Sequence, residues 1–130
     1  MTWFKTKLDK ADIAFSKYVR TLHGKCVYCG KKGEGKEGIT GLQLSHYFSR
    51  RKESVRYDLE NCDSLCIACH RKLGTDNRQL YDEFKIRQLG QKRFDALVLR
   101  ANTTGKRERD LEAIYWRKKL KELATKDIVW

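Results

Sequence analysis

The chain is 130 residues long, 40% hydrophobic and 35% charged, with no proline and a formal net charge of +12. That is the length of one domain with a helical appendage; the apolar share implies a small core in need of a staple, and the lack of any run of about 18 apolar residues excludes a membrane-spanning helix. The positive excess is +4 over residues 1–25, +3 over 26–74 and +5 over 75–130, so it is no disordered tail and points to a polyanionic partner, nucleic acid by default.

Met1 to Asp9 lack the apolar stretch of a signal peptide, and a cytoplasmic location is expected. Phe4, Leu8, Ala11, Phe15, Tyr18 and Leu22 recur at spacings of 4, 3, 4, 3 and 4, which predicts an amphipathic helix over 4–22 with Gly24 in the C′ position. The glycine-rich "GKKGEGKEG" that follows Cys29 reads as a solvated loop. Leu42, Leu44, His46 and Phe48 alternate with Gln43, Ser45 and Tyr47 as in a strand, and Val55–Leu59 is the expected return strand. Cys66–His70 opens a short helix that Gly74 closes. Further helices are expected over 76–89, ended by Gly90, over 94–101, and from about Lys106 to Leu123. The order α-β-β-α-α-α-α makes the class α+β. Its expected parts are an N-terminal helix (1–25), a four-cysteine core (26–74) and C-terminal helices (75–130), packed as one domain.

Four of the five cysteines form two pairs, Cys26-x2-Cys29 and Cys66-x2-Cys69, with 36 residues between them. Two such knuckles turn four thiolates toward one centre and close a tetrahedral zinc shell. In a cytosolic chain this outweighs disulfides, and zinc supplies the staple because its binding free energy becomes folding free energy. Cys62, the odd one, is expected to be a small core residue.

His46 ends the strand inside the zinc loop, Asn61 lies five residues before Cys66, and His70 directly follows Cys69. Singly, each has a bland reading: core histidine, turn former, surface group. Together their order resembles that of the HNH, or ββα-metal, nucleases. Phosphodiester hydrolysis needs a base of near-neutral pKa, which His46 offers. It also needs a divalent cation at the scissile phosphate, Mg²⁺ or Mn²⁺, for which His70 is the candidate ligand. Asn61 is expected to bond backbone and keep the base in aim. Ser45 is anomalous, because the wider pattern puts an Asp or His metal ligand there. A carboxylate of Asp58, Glu60 or Asp63, or water, is expected to fill its place. Arg50, Arg51, Lys52 and Arg56, with Arg71 and Lys72 beside His70, are candidates to hold backbone phosphates. Asn77 reads as a helix cap, and Trp3, Trp116 and Trp130 as core residues or base-stacking platforms.

"FSKYVRTLHGKCVYCG", "LSHYFSRR", "VRYDLENCDSLCIACHRKLGTDN" and "IYWRKKLKEL" resemble, in order and over residues 14 to 124, the Rap or NinG proteins of lambdoid phages. The resemblance implies a structure-specific endonuclease acting on Holliday junctions, D-loops and related branched DNA. It also implies a divalent cation, a homodimer, phage recombination proteins as partners and a host-cell cytoplasmic site. The phage endonuclease VII family resolves junctions with a similar zinc-framed site. Two other readings stay open: a sequence-specific or nicking HNH endonuclease on duplex DNA, and a zinc-ribbon DNA-binding module without catalysis, which has no need of the His46, Asn61 and His70 set.

Overall fold

The computed structural model describes residues 9–128. Helix α1 spans Lys10–His23. It starts later than the apolar period predicts, because Asp9 and Asp12 form a reciprocal capping box: the Asp12 amide donates to Asp9 Oδ1 at 3.0 Å and the Asp9 amide to Asp12 Oδ2 at 3.1 Å, fixing the first turn. Phe4 and Leu8 lie outside the described residues. At the other end Gly24 takes φ 64° and its N–H bonds Arg20 O at 2.8 Å, the left-handed stop that glycine adopts without steric cost. Ala11, Ala14, Phe15, Tyr18 and Val19 form the buried face.

The first knuckle leads through two isolated bridges, Lys25↔Lys32 and Glu34↔Thr40, into strand β1, Leu42–His46. Gly33 is required within this loop, since a Cβ there would meet Gly38 O at 2.1 Å. Strand β1 pairs antiparallel with β2, Cys62–Cys66, in the register Leu42↔Cys66, Ser45↔Asp63 and His46↔Cys62. The return strand is therefore not 55–59. Glu53–Val55 forms a 3-10 turn, and Val55 and Tyr57 enter different core clusters while Leu59 is left exposed. The Asn61 amide then closes a turn on Asp58 O at 2.9 Å. All five residues of β2 are buried, Asp63 and Ser64 included, so it lacks the alternation by which a strand is read.

Helix α2, Ile67–Arg71, carries the second knuckle and runs into a π turn over Lys72–Asp76. Asn77 caps α3, Arg78–Leu89, its side chain accepting from the Leu80 amide at 3.2 Å. Helices α4, Gln91–Ala101, and α5, Arg109–Ile128, complete the α+β fold. Two apolar clusters flank the hairpin. One joins Leu42, Leu65 and the knuckles to Tyr81, Phe84 and Leu97 of α3 and α4. The other joins Cys62 and Tyr57 to α1 and to Ala113 and Trp116 of α5. Trp116 packs against Phe15 and Tyr18 and so is core; Trp3 and Trp130 lie outside the described residues. Among the described residues no helix is long and apolar enough to cross a membrane.

Candidate active site

The two knuckles bring Cys26, Cys29, Cys66 and Cys69 together, with their sulfurs all within 4.8 Å of one another. Cys29 Sγ stands 3.8 Å from Cys66 Sγ. This is the edge of about 3.8 Å that a tetrahedron with Zn–S bonds of roughly 2.3 Å requires, and far from the roughly 2.05 Å of a disulfide. Burial pushes the Cys26 thiol up, but backbone N–H groups of Cys29, Cys66 and Tyr28 favour its thiolate and bring it down to about 7. The donor set and geometry fit a structural zinc ion, held by these four residues with no open position for chemistry. Cys62 stays apart, 2% exposed in the α1–α5 cluster, where burial raises its pKa.

His46 sits at the end of β1, in register with Cys62. Its Nε2 lies 3.0 Å from Arg56 O. A carbonyl only accepts, so Nε2 carries the proton and the neutral ring presents the Nδ1 lone pair. Burial is the main cause that lowers its pKa, with the nearby Arg50 and Arg56 charges adding to it against the Arg56 carbonyl, and the outcome is about 4. The imidazole is therefore a free base at neutral pH.

The loop carrying that carbonyl is held at both ends. Asn61, 0% exposed, accepts from the Phe48 amide at 2.8 Å and donates to Phe48 O at 3.0 Å and Val55 O at 3.1 Å. Tyr47 N adds a bond to Asn61 O at 2.8 Å. Arg56 is anchored from α1: its Nε and NH2 donate to the two Asp12 oxygens at 2.9 and 2.6 Å. Burial alone would raise Asp12; the Arg56 guanidinium prevails and holds the carboxyl at about 2. Arg56 is 4% exposed and also bonds Glu53. The expectation that it faces phosphate is therefore corrected: its charge is spent inside the protein, where it fixes the carbonyl that supports His46.

Ser45 points the other way. It is 1% exposed, and its hydroxyl meets Tyr81 Oη at 2.9 Å, which in turn donates to Asp63 Oδ2 at 2.8 Å. Asp63 also receives Lys85 Nζ at 3.0 Å and Gln88 Nε2 at 2.9 Å. The expected substitutes for an acidic ligand are likewise engaged: Asp58 with Arg100, Glu60 with Arg93 and Arg100. Tyr81, Lys85 and Gln88 are site residues the sequence reading missed. Their signal, a spacing of four and three on α3, is common to any helix face.

His70 hangs from a different support. Its Nδ1 lies 2.7 Å from Gln43 Oε1; the amide oxygen accepts, so Nδ1 is protonated and Nε2 is the available donor atom, the arrangement found in metal-binding histidines. Burial lowers its pKa below the ordinary value. Arg51, Lys52, Arg71 and Lys72 are exposed and Arg50 is half-buried, and among the described residues none of the five pairs with an acid. Arg51 and Lys52 form one wall of a groove of about 450 Å³. Residues 101–106 also line it and add Lys106, which sequence analysis did not count among the phosphate-binding candidates. The single acid in the groove, Glu53, is paired with Arg56 and Arg109.

Residues 26–76 match the family model described as HNH endonuclease. The four-cysteine frame, hairpin and following helix thus form an HNH endonuclease domain, which indicates a nuclease of HNH type and implies DNA as its substrate. No curated protein and no solved structure gives a significant match to the chain.

Proposed function

We propose that the protein is a structure-specific DNA endonuclease that hydrolyses phosphodiester bonds in branched recombination intermediates, Holliday junctions and D-loops among them. The observation that carries the hydrolytic reading is the His46 ring. It is neutral, its Nε2 proton is committed to the Arg56 carbonyl, and its Nδ1 is free to take a proton from an attacking water. Asn61 holds the loop that sets this aim. Arg50, Arg51, Lys52, Arg71, Lys72 and Lys106 receive the phosphates. His70 Nε2 would hold Mg²⁺ or Mn²⁺, which would offset charge on the leaving oxygen.

The branched substrate rests on the resemblance of the whole chain to the lambdoid phage proteins, as do the phage recombination partners and the host cytoplasm. A homodimer, expected for symmetric cutting of a four-way junction, gains support from α5. Leu111, Ile114 and Tyr115 expose an apolar stripe on its outer face, at 64%, 63% and 51%. Along α5 the charge leans acidic toward the N-terminus (Asp110 and Glu112 beside Arg109) and basic toward the C-terminus (Arg117, Lys118, Lys119 and Lys121 beside Glu122). Two copies laid antiparallel would match opposite charges along the stripe, whereas a parallel pair would oppose like charges.

The test compares cleavage of a four-way junction with cleavage of the same sequences as linear duplex. Preferential, symmetric cutting of the junction is expected, and its loss in His46→Ala with binding retained. Equal cutting of both substrates, or cutting at one linear sequence, would favour a duplex endonuclease. Binding without cutting by any arm would leave the zinc-ribbon reading.

A further inference from the structure

We infer that the protein has no resident site for its hard divalent cation: the ion and the DNA bind as one unit, with His70 Nε2 as the chain's contribution. This rests on the nuclease reading and concerns how its site is completed. The position next to the base, where a ligand is expected, holds Ser45. Tyr81 gives its own proton to Asp63, so the Ser45 hydroxyl donates to Tyr81 Oη. A protonated, inward-turned hydroxyl is a poor ligand for Mg²⁺ or Mn²⁺.

No carboxylate beside the strand takes over. Asp63 is enclosed by Tyr81, Lys85 and Gln88, and Asp58 and Glu60 are held by Arg93 and Arg100. Freeing Asp63 would leave Lys85, which is 0% exposed, as a buried charge without its counter-ion. Among the described residues the only cluster of three or more potential ligands is the four-cysteine set, whose soft sulfurs suit zinc.

Electrostatics point the same way. Arg50 lies close enough to His46 to depress its ionisation, and the chain carries +12 overall, so a bare divalent cation is repelled. Phosphates reverse that sign locally. What the protein offers is one imidazole nitrogen, aimed by Gln43, and a fringe of unpaired cations for the backbone. Mg²⁺ sites completed by substrate phosphates and few protein ligands are a known economy of such ions. Here the protein's share falls to one neutral ligand, so ion and DNA must promote each other's binding by the same factor.

The test measures Mn²⁺ binding by electron paramagnetic resonance on the zinc-loaded protein. The samples are wild type without DNA, and His46→Ala, which is expected not to cleave, with a four-way junction; DNA alone is subtracted. Wild type alone is expected to bind no Mn²⁺ at sub-millimolar concentration, and the junction complex to bind it at least about tenfold more tightly. His70→Ala in the His46→Ala background should lose the DNA-dependent ion while keeping its zinc and its junction affinity in metal-free buffer. Equal Mn²⁺ affinity with and without DNA would overturn the inference by revealing a resident site. A DNA-dependent ion that survives His70→Ala would overturn the ligand assignment. Neither result bears on whether wild type cuts junctions, so failure of the nuclease reading is scored separately.

Discussion

Replacing Asn61 tests the mount of the proposed base without touching the base. Asn61→Ala removes three hydrogen bonds to the backbone of Phe48 and Val55, all made from a side chain that is 0% exposed. Each main-chain group left unpaired in a buried place costs roughly 1–3 kcal/mol. Partial entry of water at the loop, which is flanked by exposed residues, brings the expected total to about 3–5 kcal/mol, a large fraction of a typical domain's stability. Asn61→Asp is the sharper arm. It keeps the shape and the acceptor for the Phe48 amide, but sets an oxygen against the carbonyls of Phe48 and Val55. Urea denaturation of the zinc-loaded variants gives the stability change, and hydrogen exchange of the Phe48 amide reports the clasp itself. Cleavage should fall in both variants, and protection of the Phe48 amide should be lost in Asn61→Ala. A stability change under about 1 kcal/mol with unaltered exchange at Phe48 would refute the reasoning.

Three further outcomes follow from the geometry. Elemental analysis should find one zinc per chain, and Cys29→Ser or a strong chelator should unfold the core; metal-washed protein with no zinc and undiminished stability would remove the four-cysteine site. His46 has a folded pKa near 4, below its ordinary value of 6.5, so the unfolded chain takes up the extra proton between those values. Stability should therefore rise as pH increases from about 4 to 6.5 and be fully present above. The change is about 1–3 kcal/mol once partial exposure is allowed for, and His46→Gln should flatten it. An NMR titration of the ring with a midpoint near 6.5 would contradict the buried, neutral assignment. Ile114→Glu, in the middle of the α5 stripe, should turn a light-scattering dimer into a monomer without changing the melting temperature of the protomer; a wild type that stays monomeric at high micromolar concentration sinks that interface.

The parts of the site legible in the sequence are those whose chemistry is tied to short spacing. Two CxxC pairs can close only one kind of shell, and they do meet. The cap role of Asn77 was legible because a cap is a contact three residues away. The second strand was misplaced because β2 is buried on both faces, which erases the period of two. Arg56 was misread for a related reason. In sequence it belongs to a basic run, and nothing local reveals that Asp12, 44 positions earlier, neutralises it. The same holds for Ser45: its Tyr81 and Asp63 partners come from α3 and β2, and long-range polar pairing leaves no periodic trace.

Those long-range partners change what counts as the functional unit. The family match ends at residue 76, yet both supports of the proposed base strand lie partly outside it. On one side α1 supplies Asp12, without which Arg56 would be a buried, unpaired cation and its carbonyl would lose its fixed position beneath His46. On the other, α3 supplies Tyr81 and Lys85, which lock Ser45 and Asp63 of the paired strands. Helix α5 then covers α1 through Trp116, and Arg109 ties Asp9 to Glu53 at the head of the base loop. The four-cysteine cluster gathers the knuckle end of the hairpin. The His46 end, where the chemistry is proposed, is fixed by the helices before and after the matched segment, so the catalytic geometry is a property of the whole chain.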